Sequence, residues 1–189
     1  MAGIQNDIPH EMALQLLQEG NARYIADLSS RPNATPRRRL ETGGGQWPFA
    51  IVLSCADSRV APELVFDQGI GDIFVTRVAG NVATKEIIGS IQYAVQYINT
   101  ELIVVLGHES CGAVGAAISP PSDAPEELGD LVSQIQGVIG SEKELQSAVE
   151  LNAKAQASEL SKALESPSLK HAKVCAATYS LRSGHVNWL

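Results

Sequence analysis

The sequence predicts an α/β protein: a mainly parallel central sheet flanked by helices, with an N-terminal helical arm and an antiparallel C-terminal edge strand. Three observations carry this. Phe49-Ala50-Ile51-Val52-Leu53 and Leu102-Ile103-Val104-Val105-Leu106 are continuous apolar runs rather than alternating ones, as expected of strands buried on both faces of a parallel sheet. Lys85 to Ile98, between them, sets Ile87, Ile88, Ile91, Val95 and Ile98 on one helical face, which suits the crossover that parallel strands require. Each apolar run also leads directly into small, polar and thiol residues, at the strand ends where such sheets gather their chemistry.

The elements follow in order. Asp7 caps and Pro9 starts a first helix whose apolar face is Met12, Leu16, Leu17, Tyr24 and Leu28. Ser29 to Gly45 reads as a polar loop, with Pro32, Pro36 and three glycines in a row. The first core strand runs up to Cys55, a short helix covers Pro62 to Phe66, and Ile73-Phe74-Val75 forms a second strand. After the crossover helix and the strand from Leu102, a helix starts near Ser110 and ends at Pro120-Pro121. Two more helices span Glu126 to Ile139 and Glu142 to Leu164. Lys173 to Tyr179 and His185 to Leu189 make an edge hairpin around Ser183-Gly184.

The 189 residues are read as one domain over 1–189: an N-terminal helical arm and loop (1–45), a core (46–118), and C-terminal helices and edge strands (119–189). Apolar content of 44% and charged content of 19% describe an ordinary globule. A net charge of −7 argues against nucleic acid or an anionic membrane as partner. The basic run Arg37-Arg38-Arg39 reads as a solvated loop or an intersubunit patch. No stretch approaches a membrane span, and no signal-peptide pattern opens the chain. Three cysteines, an odd number, speak against a disulfide framework and for reduced thiols in a cytoplasmic protein.

The polar runs are Cys55-Ala56-Asp57-Ser58-Arg59 and His108-Glu109-Ser110-Cys111. His108 and Cys111, three apart at a strand-to-helix turn, are close enough to chelate one ion, and a helix starting there lowers the Cys111 pKa. Cys55 lies 53 residues before His108 but ends the other strong strand. If the strands are near neighbours, two thiolates and an imidazole meet as zinc ligands. Singly, each of these residues reads as ordinary core or loop; jointly, at strand ends with polar neighbours, they do not. Cys175 has no partner motif and is assigned to the core. Two thiolates cancel the charge of zinc, so Asp57 and a hydroxide compete for the fourth position. Arg59 can bind Asp57 bidentately and hold it off the metal.

At these residues the chain resembles the β-class carbonic anhydrases, over roughly Leu14 to Ala117. The resemblance is most specific through Cys55-Ala56-Asp57-Ser58-Arg59-Val60, Arg77-Val78-Ala79-Gly80-Asn81, Gly89-Ser90 and Gly107-His108-Glu109-Ser110-Cys111-Gly112. It implies a zinc ion in each chain held by Cys55, His108 and Cys111, with Asp57 as a conditional fourth ligand and Asp57–Arg59 as the catalytic dyad. It also implies a dimer, often paired into tetramers, with active sites at the subunit boundary. Gln46, nine residues before Cys55, matches a substrate-binding glutamine, while Phe74, Ala79 and Tyr93 match cleft positions, Phe74 reaching in from the partner subunit. N–H groups near Gly112 polarise substrate oxygens in this reading.

The implied reaction is reversible hydration of carbon dioxide to bicarbonate and a proton, by a hydroxide held on the zinc. Hydrolysis of carbonyl sulfide or carbon disulfide on the same ligands is the alternative, and a purely structural zinc subunit a further one. A nucleotide-binding reading of Gly69-Ile70-Gly71 fails, because Phe74 stands where the dinucleotide fingerprint needs glycine. The chain departs from the family in three places. Val52 replaces the Trp of the subgroup with an inhibitory bicarbonate site. The stretch from Pro167 to Lys173 is shorter than usual, and the last strand reads Ala176-Ala177-Thr178-Tyr179-Ser180 rather than Gly-Ala-x-Tyr-Asp.

Overall fold

A computed structural model describes residues 8–189. Five strands form one sheet in the order β2-β1-β3-β4-β5: β1 Ala50–Ser54, β2 Ile73–Arg77, β3 Leu102–His108, β4 Lys173–Tyr179 and β5 Val186–Trp188. The first four are mutually parallel and β5 runs antiparallel to β4. The two continuous apolar runs become β1 and β3, buried at every position and paired directly from Ala50↔Leu102 to Ser54↔Leu106.

Alternate residues of these strands serve two cores. Ala50, Val52, Leu102, Val104 and Leu106 pack with Ala13 and Leu17 of helix α1 (His10–Ile25). Ile51, Leu53, Ile103 and Val105 pack with Ile91 and Val95 of α4 (Lys85–Ile98) and with α7 (Leu145–Ala163) through Ala153 and Leu160. Helices on both faces of a parallel sheet therefore satisfy the both-sides burial read from the sequence. A third cluster sits beyond the strand ends, where α5 (Gly112–Ile118) and α6 (Glu126–Ile139) bring Val114, Val132 and Ile135 over Cys55 and Cys111.

The chain steps from β1 outward to β2, then crosses back by α4 to place β3 on the other side of β1. Adjacent connections that leave in opposite directions open a crevice at the carboxyl ends of β1 and β3. Cys55 follows β1 and His108 closes β3, so both stand at that crevice.

Several expectations are corrected. The expected cap Asp7 lies outside the described residues. Helix α1 stops at Ile25, and its buried face is Ala13, Leu17, Gly20 and Asn21, while Met12 and Leu28 are 55% and 70% exposed. Gly20 permits the close approach, since a Cβ there would overlap the Phe66 carbonyl. The loop from Ser29 to Gly45 contains a helix, α2 (Pro36–Thr42), started by Pro36 and capped where the Thr35 hydroxyl accepts from Arg38 N–H at 3.2 Å. The short helix α3 is Pro62–Val65. The expected edge hairpin is present as β4 and β5, with β5 the antiparallel edge strand and β4 pairing with β3 as well. Cys175 on β4 is partly buried against the first core cluster.

Candidate metal centre

Cys55, His108 and Cys111 converge: their ligand atoms all lie within 4.8 Å of one another, and all three side chains are buried. Local backbone makes the convergence possible. Ser110 takes a left-handed φ of 55°, turning the chain sharply between His108 and Cys111. Cys111 then stands as the N-cap of α5, with its sulfur turned into the crevice between β1 and β3.

His108 is fully buried, and its Nδ1 lies 2.9 Å from the Glu109 carbonyl oxygen. A carbonyl can only accept, so Nδ1 carries the proton and Nε2 is left with its lone pair. That Nε2 has no hydrogen-bond partner among the described residues. A buried nitrogen in this state is costly unless something electrophilic faces it. With two sulfurs beside it, the donor set is the thiolate-and-imidazole mixture that zinc prefers. The residues present fit the ion.

The two thiols are coupled. A hydrogen bond from Cys111 lowers the pKa of Cys55 against its burial, with the Asp57 and Gly80 amides helping. Cys111 is pushed up, first by Cys55 and then by burial, although the N–H groups of Ala113 and Val114 pull the other way. The helix start thus acts on Cys111 in the expected direction but is outweighed. One proton leaves the pair more readily than the other.

Asp57 stands beside this set, its Oδ2 3.9 Å from His108 Nε2. Arg59 grips it with Nε on Oδ1 at 2.9 Å and Nη2 on Oδ2 at 2.7 Å, and adds its own backbone N–H at 2.9 Å. The Arg59 side-chain bonds hold the Asp57 carboxyl far below the usual carboxylate range, against partial burial. The bidentate pair read from the sequence is therefore present.

Two groups escaped the sequence reading. Arg77, at the end of β2, donates from Nε to the Cys55 carbonyl at 2.9 Å and from Nη2 to the Asp57 carbonyl at 2.6 Å, bracing the loop that carries both side chains. Gly80 donates its N–H to Cys55 Sγ at 3.3 Å from a left-handed φ of 69°. The run Arg77-Val78-Ala79-Gly80-Asn81 flagged that segment, but not these contacts.

The remaining sequence candidates lie elsewhere in the chain. Gln46 is exposed in the loop before β1. Phe74 packs on the second core cluster, and Ala79 opens the turn that holds Gly80. Tyr93, 50% exposed on α4, lines a separate hollow with Gly89, Gln92, Gln96, Tyr97 and Leu169. Gly112 is exposed at the first position of α5.

Comparison with known proteins places residues 50–186 in a family described as carbonic anhydrase. Carbonic anhydrase 2 of Mycobacterium tuberculosis is 50% identical over 111 residues, covering 59% of this chain and 54% of that protein. A carbonic anhydrase of Mycolicibacterium smegmatis is 50% identical over 107 residues, covering 57% and 52%. The chain spans about half the length of the curated relatives it matches. Among solved structures, a Coccomyxa β-carbonic anhydrase in complex with acetazolamide shares the fold, with a TM-score of 0.72 at 24% identity over 93% of this chain and 86% of that one. So does one of the tetrameric β-carbonic anhydrases from Sordaria macrospora, with a TM-score of 0.71 at 21% identity over 93% and 96%.

Proposed function

The chain belongs to the β-class carbonic anhydrase family, and on that premise we propose that it reversibly hydrates carbon dioxide to bicarbonate and a proton at zinc held by Cys55, His108 and Cys111. The observation that carries the reading is the buried His108 Nε2, left with a bare lone pair in the company of two sulfurs. When bound there, zinc supplies the Lewis acidity that makes water a nucleophile near neutral pH.

The chain's own residues do the rest. Cys55 and Cys111 enter as thiolates, and His108 as the neutral tautomer that the Glu109 carbonyl fixes. Asp57 is kept beside the ligand set, rather than within it, by Arg59. From there its carboxylate accepts the hydrogen bond of the attacking water and orients it toward the carbon. Gln46, Phe74, Ala79, Tyr93 and Gly112 are assigned to substrate contact in a dimer or tetramer. The exposure of Tyr93, Tyr97, Leu40 and Leu64 supports such self-association. Among the described residues no helix is long and apolar enough to cross a membrane, in keeping with the cytoplasmic reading.

The test is a metal assay paired with stopped-flow hydration, with hydrogen sulfide release from carbonyl sulfide as a second arm. We expect wild-type protein to carry zinc and hydrate carbon dioxide, and His108→Ala to lose both. Hydration that survives the loss of zinc overturns the assignment, and turnover of carbonyl sulfide alone moves it to the sulfur substrate.

A further inference from the structure

Helix α7 buries two amides, Asn152 with no exposure and Gln156 with 5%, on the side that faces the Gly80 turn. Burying an amide in a helix face is unfavourable unless its polar atoms are answered. Apolar residues of similar size would pack α7 without that demand. The bonds these amides make all run in one sense. Ala83 N–H donates to Gln156 Oε1 at 2.9 Å, and Gln156 Nε2 donates to Asn152 Oδ1 at 3.1 Å. Asn152 Nδ2 then donates to the Gly80 carbonyl at 2.8 Å, and Gly80 N–H donates to Cys55 Sγ at 3.3 Å.

The direction of this chain is not a choice of amide orientation. A backbone N–H can only donate and a carbonyl can only accept, so Ala83 at one end and Gly80 at the other dictate both side-chain amides. Reversing either amide would set oxygen against oxygen. Gly80 itself sits at positive φ, and a Cβ there would run into Ile135 Cδ1 and crowd Ala113. A turn of two successive left-handed residues, Gly80 and Asn81, has little intrinsic preference to stay in place. Its stability comes from outside, through the Asn152 bond.

We infer that Asn152 and Gln156 are positioning residues for the Cys55 sulfur: by holding the Gly80 carbonyl from a helix 72 residues away, they fix the residue whose N–H is aimed at a metal-ligating atom. This deepens the zinc reading above and rests on it. An N–H···S bond takes up part of the charge on a thiolate and restricts the direction from which it can donate to a metal. Supporting contacts of this kind typically change metal affinity about 10–100-fold when removed. Neither amide touches the reacting atoms, so both act through Gly80.

The test uses wild type, Gln156→Met and Asn152→Leu, each prepared with zinc and again with cobalt(II) in its place. Both variants should release metal to a chelator about 10-fold faster than wild type. Their sulfur-to-cobalt charge-transfer band should also move, because the Cys55 sulfur loses a donor. Leu160→Ala, on the same helix but in the second core cluster, is the control for mere destabilisation. It should lower the melting temperature and leave both the band and the release rate unchanged. If Asn152→Leu fails to fold, Gln156→Met decides alone, since it keeps the volume while removing the latch on Asn152 together with the acceptor of the Ala83 N–H. Wild-type band and release in the folded variants overturn the inference, as does a Leu160→Ala protein that releases metal equally fast. A wild-type chain that takes up neither zinc nor cobalt overturns the zinc reading itself, an outcome distinct from the other two.

Discussion

Asp57 and Asp67 each face an arginine at almost the same separation, 2.7 Å from Arg59 and 2.6 Å from Arg23. Asp57 takes its arginine from two residues away, on an exposed loop, and its side chain keeps 18% exposure. Asp67 takes its arginine from α1, and its side chain is 1% exposed. It also accepts the Ser30 hydroxyl and N–H, both at 3.0 Å, and the Arg31 N–H at 2.9 Å. In one pair the carboxylate is enclosed, and it ties the arm to the core. The other is left open toward two sulfurs and a nitrogen that has no hydrogen-bond partner among the described residues. The same chemical pair is closed off where its surroundings satisfy it and stays open toward the candidate metal centre where they do not.

Breaking the open pair should produce the largest effect. Asp57→Asn keeps the shape but removes the charge, and should reduce hydration by about 10²–10⁴-fold in a stopped-flow assay. Bound zinc and melting temperature should stay near wild type. Unchanged turnover would remove Asp57 from the proposed mechanism.

Breaking the closed pair should do the reverse. Asp67→Asn leaves Arg23 facing a neutral amide and should destabilise the fold by about 3 kcal/mol, with turnover per folded molecule retained. The pair also has a pH signature. Burial works against the Asp67 charge, but Arg23 and the Ser30 and Arg31 donors outweigh it and hold the pKa at about 2. An unfolded aspartate titrates near ~3.9, so the stability contributed by this group is complete above that value. It is lost as pH falls toward 2, and amounts to about 2 kcal/mol. Denaturant melts from pH 5 to 2 should therefore converge for wild type and Asp67→Asn. Parallel curves would show that the pair contributes nothing through ionisation.

The smallest effect sharpens the contrast. Ser30→Ala removes a single donor from a carboxylate that keeps its other partners, and should lower stability by about 1 kcal/mol with hydration unaffected. A loss as large as that of Asp67→Asn would mean that the arm, rather than the ion pair, depends on Ser30.

Much of this was legible in the sequence because it rests on periodicity. The α4 span matches its apolar spacing, α6 matches its expected span, and β1 and β3 match their unbroken apolar runs. The ligand trio was legible because each member ends a strong strand or follows one closely. Helix α2 was not, since none of its residues is buried and no apolar face marks it. Its hold comes from Thr35 and from Arg38, which reaches the Ile70 carbonyl at 2.8 Å and Asp72 at 3.1 Å. Met12 fits an apolar face by type, but α1 lies on α3 through Gly20, which turns it outward, and Leu28 lies beyond the end of the helix. Asn152 and Gln156 read as solvent-facing polar positions by type. They are buried because they answer a turn distant in sequence, and helical spacing alone holds no trace of that partner.

Strand β3 continues two residues beyond its last rung with β1, through Gly107 to His108, before the chain bends toward Cys111. Cys55 must wait for that segment, since β2 and α4 lie between them in the chain. During synthesis an ion meeting the first thiol early finds no companions, and capture becomes possible only after the neighbouring strands have zipped together. Slippage by a single residue would throw the imidazole to the opposite face. If the trio holds zinc as proposed, a filled centre would report correct strand alignment, and only late in assembly.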